Sequence, residues 1–206
     1  MAPEGQLSIF LGSPFARMAS VLVREWALPV TEVELPSFPP PDAFFAENPL
    51  GQVPVLAVGG ERLFPTLIVL ERLWRMAGSP EDAYRPEAER QLLATLLGAG
   101  DALVGATYQR WAGLGPVGRN HLGYDPGARN LERFVSTLGW AEEGERIRGG
   151  VTLPGVAVAC LLAWSDARGG PTRRPHPRIE AIAGSLSRRE SFRQTQPQPW
   201  RPGEEH

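Results

Sequence analysis

Cysteine is almost absent from this chain: Cys160 stands alone. A single thiol excludes an internal disulfide framework and a Cys-x-x-Cys redox pair. Within the apolar run Val156–Ala163 it reads as a small buried hydrophobe. Lysine is missing altogether, so all 21 basic residues are arginine, which we read as coding bias. They are interspersed among 23 acids, for a formal net charge of −2. That balance offers no broad basic field for DNA, RNA or anionic lipid, so neither nucleic acid nor membrane is an expected partner. Histidine is scarce, and His121, His176 and His206 share no metal-ligand spacing, so no metal is expected. A Gly-rich phosphate loop and a Ser-His-Asp arrangement are both lacking. No stretch approaches the run of about 18 apolar residues that a membrane span needs. The opening Met1-Ala2-Pro3-Glu4-Gly5-Gln6 lacks the basic and apolar regions of a secretory signal. A soluble cytoplasmic protein is the expectation.

What is there is organised in two halves. The 206 residues suffice for one or two compact domains. Leu7–Leu11 reads as a buried strand. Ser13 is placed to cap a helix with Pro14 at its first position, where a missing N–H costs nothing. Val30–Leu35 alternates as a strand does, and Asp42–Glu47 makes a short helix. Val53–Val58 and Arg62–Phe64, split by Gly59-Gly60, read as a hairpin. A helix follows over Thr66–Met76. The order strand, helix, strand, helix, strand, strand, helix gives a small α/β layer on a mixed sheet. From Pro86 the pattern is helical: Pro86–Tyr108, Asp125–Leu138, the strongly apolar Thr152–Asp166 and Pro177–Ser187, with Trp111–Asp125 breaking the pattern and Gln194–His206 irregular.

Two segments carry more than fold. Ser13-Pro14-Phe15-Ala16-Arg17 puts a hydroxyl where a strand runs into a helix, and Asn48-Pro49-Leu50-Gly51-Gln52-Val53-Pro54 puts a proline at the entrance to an apolar strand. Gly100-Asp101-Ala102-Leu103, the buried helix Leu153–Asp166, and His176-Pro177 followed by Ser191-Phe192-Arg193 complete an ordered set. Over roughly residues 7–196 this set resembles a bacterial glutathione S-transferase of the serine type. The resemblance implies a thioredoxin-like α/β N-terminal domain (6–77), a linker (78–85), an all-α C-terminal domain (86–196) and an irregular tail (197–206). It implies glutathione as co-substrate, a small hydrophobic electrophile as partner substrate, a homodimer and a role in detoxification. Ser13 would be the catalytic residue, facing the sulfur, although an N-cap alone also explains it. Phe15, Gln52, Val53, Pro54, Pro65, Thr66 and Asp101 would bind glutathione, with the Val53–Pro54 bond cis. Tyr108 and Trp111, with His121 and Tyr124, would line the second-substrate pocket or serve as ordinary core and loop residues. Arg17 either helps hold an anionic ligand or is solvated, the second being favoured.

The sequence also departs from the family pattern. An acid usually precedes the hydroxyl residue at the third helix, where it meets the ligand's ammonium, and here Pro65 precedes Thr66. Gly105 replaces a second acid of the long helix, and Gly155 replaces the acid that reciprocates the cap of the buried helix at Thr152. Pro65 favours the alternative of a transferase-like fold that has lost catalysis and serves as a binding or regulatory module.

Overall fold

The computed structural model describes residues 4–35, 41–112, 126–170 and 176–197. Chain order is β1 (Gly5–Ile9), α1 (Pro14–Glu25), β2 (Val30–Glu34), α2 (Asp42–Glu47), β3 (Val55–Val58), β4 (Glu61–Leu63) and α3 (Thr66–Met76). Among the described residues five more helices follow: α4 (Pro86–Trp111), α5 (Pro126–Glu143), α6 (Leu153–Ala167), α7 (Pro177–Ser187) and α8 (Glu190–Gln194). The sheet order is β2-β1-β3-β4. β1 pairs parallel with β2 and antiparallel with β3, and β3 pairs antiparallel with β4. This is the thioredoxin-like layer followed by helices that the sequence implies.

Local chemistry explains the elements. Ser13 caps α1 by accepting the Ala16 N–H at 3.2 Å, and Pro14 opens the helix. Met18, Val21 and Leu22 then fall on one face and are fully buried with Leu7 and Leu56 of the sheet. Gly59 and Gly60, both at positive φ, close the β3–β4 hairpin in the twist that flanking strands prefer. α6 is buried along nearly its whole length, from Leu153 to Ser165, so it shows no polar face. It packs on α1, α4 and α7. Thr152 caps it by accepting the Gly155 N–H at 3.0 Å, so the cap survives without the reciprocating acid.

Ion pairs on buried carboxylates tie α3 to α4, α4 to the segment before α6, and α1 to the segment before α8. Glu71 of α3 accepts from the Tyr84 hydroxyl at 3.0 Å and pairs with Arg90 of α4 at 3.0 Å. Burial, then the neighbouring Glu71, holds Tyr84 protonated far above its ordinary range. Arg148 grips Glu89 through two bonds of 2.6 and 2.9 Å. The Leu153 amide donates to Ala83 in the connecting segment at 3.0 Å. At the other end of the chain, Arg189 donates twice to Glu25 of α1, each at 2.7 Å.

Several boundaries differ from the sequence expectation, those of β2, β3, β4 and α6 by one or two residues. β1 ends at Ile9, because the chain turns at Leu11, which is exposed. α4 runs on to Trp111. α5 continues through Gly139 to Glu143, because burial of Ala141 against the core outweighs one glycine. The stretch expected to be irregular begins inside a helix, α8, which Phe192 anchors in the core.

Candidate functional site

The strand register brings three separated segments to one end of the sheet. Ser8 of β1 sits beside Val55 of β3, and Leu56 of β3 beside Leu63 of β4. The chain leaving β1 toward Ser13, the chain entering β3 at Val53-Pro54, and the chain leaving β4 toward Pro65-Thr66 therefore emerge side by side. Neighbouring strands are about 4.8 Å apart, so the row spans about 10 Å, the length of an extended tripeptide.

Each segment of this row is shaped by identifiable contacts. In the first, the Ser13 amide donates to Phe10 O at 2.9 Å. Trp164, buried on α6, donates its Nε1–H to Gly12 O at 2.8 Å. A residue 152 positions away in the chain thus pins the turn that presents Ser13. Trp164→Phe should leave the Gly12 carbonyl short of a donor and cost about 1–3 kcal/mol of unfolding free energy, measurable by denaturant titration. An unchanged midpoint would mean that solvent replaces the bond.

In the second segment Asn48 is fully buried. Its Nδ2 donates to Gln52 O at 2.7 Å, and its Oδ1 accepts the Leu50 N–H at 3.1 Å. The turn passes through Gly51 at φ 59°, where an added Cβ would also strike the Phe45 ring; only glycine satisfies both conditions. The Val53–Pro54 peptide is cis, as the resemblance implies. Val53 precedes the β1–β3 ladder, which runs from Val55 to Val58, so its backbone polar groups take no part in it.

In the third segment the Phe64–Pro65 peptide is also cis, which the sequence reading did not anticipate. Pro65 occupies the N-cap position of α3 and makes no side-chain cap bond. Its carbonyl accepts from Ile68 and Val69. The amides of Thr66 and Leu67 precede these bonds at the positive end of the helix. α1 and α6 have side-chain caps and α3 has none.

The long helix α4 passes close to this row. A Cβ added at Gly100 would lie 3.1 Å from the Phe15 ring and 2.7 Å from Leu161. Gly100 therefore permits a close approach of α4 to the start of α1. Asp101, the next residue, is exposed, yet local desolvation holds its carboxyl above the ordinary value of 3.8. An acid raised in this way is a liability at neutral pH. Stability falls as pH climbs from the ordinary value through the raised one. Asp101→Asn should thus melt slightly above the natural protein at pH 7, with the gap closing below pH 3.8. Parallel melting curves across that range would show the carboxyl to be fully hydrated. Gly105 faces Asn130 of α5.

Two turns beyond Asp101, Tyr108 and Trp111 stand together, ring centroids 5.6 Å apart. His121 and Tyr124 lie outside the described residues. The aromatic pair has a neighbour that the sequence reading missed. Arg168, buried at the end of α6, stacks over Trp164 with its guanidinium carbon 5.6 Å from the ring centroid. Arg110 holds the Arg168 and Gly169 carbonyls, each at 2.6 Å. Burial holds the Arg168 pKa below its ordinary value, and nearby Tyr108 opposes that shift. Burial raises the Tyr108 hydroxyl, and Arg168 opposes that in turn. A cation thus stands beside the aromatic pair.

Arg17 corrects the sequence reading. It is 6% exposed rather than solvated. Its guanidinium donates to Phe192 O at 3.1 Å and to Thr195 Oγ1 at 3.4 Å, both on the C-terminal segment. Cys160 is buried as expected, and burial pushes its thiol up to about 11. Among the described residues no cluster of His, Cys, Asp or Glu is placed to hold a metal ion, and no helix is long and apolar enough to cross a membrane.

Comparison with known proteins bears on the whole arrangement. Residues 7–80 match the family model for the glutathione S-transferase N-terminal domain. A glutathione S-transferase from Methylobacillus flagellatus, solved with glutathione bound, superposes with TM-score 0.76 at 24% identity, over 94% of this chain and 99% of that one. One from Methylobacterium radiotolerans, in complex with glutathione sulfonate, gives 0.75 at 21% identity, over 98% and 99%. A family member from Pseudomonas fluorescens with bound glutathione gives 0.72 at 22%, over 94% and 98%. Among curated proteins, none matches the sequence.

Proposed function

We propose that the protein binds glutathione along this end of the sheet and activates its thiol at Ser13: residues 7–80 match the glutathione S-transferase N-terminal domain model, and solved glutathione S-transferases share the fold over 94% and 98% of the chain. The reaction is attack of the thiolate on a small hydrophobic electrophile, or a glutathione-dependent isomerisation. Residues 6–77 form the glutathione-binding unit and 86–196 the helical one, and the protein works in the cytoplasm. The observation that carries this reading is the row of Ser13, Val53-Pro54 and Thr66 at one end of the sheet, set by the register of β1, β3 and β4.

Ser13 serves two ends at once. Its oxygen accepts the Ala16 N–H through a lone pair, which leaves the hydroxyl proton free to donate to sulfur. That bond and the positive end of α1 both favour a thiolate over a thiol. Lowering a thiol from about 8.5 by two units takes about 2.7 kcal/mol, which a charge-assisted hydrogen bond and a helix terminus together can supply. Gln52, Val53 and Pro54 receive the peptide part, and Phe15 lies beside it. The Thr66 amide and hydroxyl receive the γ-glutamyl carboxylate at the uncapped start of α3. Pro65 brings no charge to the ligand's ammonium, and Asp101 is the acid left to meet it. Tyr108 and Trp111 face the electrophile.

Retention on immobilised glutathione, followed by turnover of a generic aromatic halide, tests this reading. Binding without turnover of any electrophile would favour the second reading, a non-catalytic binding or regulatory module, which the neutral Pro65 supports. We further propose a homodimer in which Asp101 reaches the partner's ligand. Light scattering at micromolar concentration should give twice the chain mass of 22.5 kDa, and the monomer mass would count against it.

A further inference from the structure

We propose that Arg17 is an electrostatic positioning residue for the thiolate, a buried cation whose field adds to the Ser13 hydroxyl without touching the ligand. The proposal rests on the glutathione reading above and goes beyond it. Arg17 follows Ser13 by one helical turn, and its amide donates to Ser13 O at 3.1 Å. Four residues advance a helix by about 6 Å, so the two side chains start on the same face of α1. A guanidinium that is 6% exposed ordinarily sits against a carboxylate. This one does not. Its hydrogen-bond partners are a carbonyl, Phe192 O, and a hydroxyl, Thr195 Oγ1. The remaining face looks onto the Phe192 ring, 5.5 Å from the guanidinium carbon to the ring centroid. Nη1 is buried without a partner. Among the described residues no carboxylate pairs with it.

The charges around Arg17 are committed elsewhere. On α8, Glu190 is held by Arg193 and Gln194. On α1, Glu25 is held by Arg189 and by the Ser191 hydroxyl, and that pairing keeps its carboxyl below the ordinary value. On α6 the facing titratable group is Cys160, and the Arg17 charge acts to lower its pKa against the upward pull of burial. The Arg17 charge thus acts on that thiol toward the thiolate, although burial outweighs it there. α8 covers the guanidinium, so solvent and salt screen it little.

A buried positive charge without a counterion is costly to keep. An anion forming one turn away, at Ser13, gives it a use. A unit charge about 10 Å from a thiolate, at an effective dielectric of about 20, moves that thiol's pKa by about one unit.

The test compares the natural protein with Arg17→Met, which keeps the apolar stem on Phe192, and Arg17→Lys, which keeps the charge. Two quantities are read: the pKa of bound glutathione, from thiolate absorbance, and the dissociation constant of S-methylglutathione, which has no ionisable thiol. Arg17→Met should raise the bound thiol's pKa by about one unit, a tenfold loss of thiolate below that pKa. It should leave S-methylglutathione affinity unchanged and should fold cooperatively. Arg17→Lys should keep the natural pKa. An unchanged pKa in Arg17→Met overturns the proposal and leaves the glutathione reading standing. Equal loss of both quantities, or failure of Arg17→Met to fold, would make Arg17 a structural strut and also overturn it. Failure of the natural protein to bind either ligand overturns both readings.

Discussion

Pro65→Glu should tighten glutathione binding by about 10- to 150-fold. An ammonium bound without an anionic partner forgoes a charge-assisted hydrogen bond worth about 1.5–3 kcal/mol, and that energy converts to this range of dissociation constants. The natural protein should accordingly bind weakly, near about 1 mM, or about −4 kcal/mol. Pro65 is exposed, and α3 has no side-chain cap. A carboxylate introduced there meets no packed neighbour and sits at the positive end of the helix, where negative charge is favoured. Calorimetry checks three corollaries. The gain should shrink at high salt, because an exposed pair is screened. It should vanish for a deaminated glutathione analogue. It should also shrink if Asp101 already serves the ammonium. Tight binding by the natural sequence together with weakened binding by Asp101→Asn would identify Asp101 as that group.

Ser13→Ala should raise the pKa of the bound thiol by about one to two units and lower kcat/KM at neutral pH by about 10- to 100-fold. It should also cost about 0.5–2 kcal/mol of stability, because the Ala16 N–H loses its acceptor. The two effects separate experimentally. The cap acts on unfolding, and the donated proton acts on the pH–rate profile. A variant that melts lower with an unchanged profile would assign Ser13 to capping alone.

How much of this was legible in the sequence follows from the range of each interaction. The Ser13 cap reaches three residues along the chain, and α3 and α7 begin and end where turn chemistry and hydrophobic spacing place them. The Gly59-Gly60 hairpin and the cap at Thr152 are equally local. The burial of Arg17 has no local signal, because its environment comes from Phe192 and Thr195, 175 and 178 residues away. Nothing near Arg17 in sequence foretells that α8 will cover it. Trp164 and Arg168 escaped notice for the same reason: an apolar run announces a buried helix, not the carbonyl that its tryptophan will meet. Asn48 did carry a signal. An Asn opening Asn-Pro-Leu-Gly is suited to bonding the turn that follows, and here it holds Gln52 and Leu50. The row at the end of the sheet lies between these extremes. Its members were found one by one from motifs, but their alignment depends on strand order and register, which are long-range.

Glutathione should lie along this row with its sulfur at Ser13, and a crystal structure of the natural protein soaked with glutathione well above millimolar is the decisive measurement. The sulfur should be within hydrogen-bond reach of Ser13 Oγ, the peptide against Val53 and the γ-glutamyl carboxylate at the Thr66 amide. Glutathione bound elsewhere, or this end of the sheet left empty at saturation, would overturn the glutathione reading.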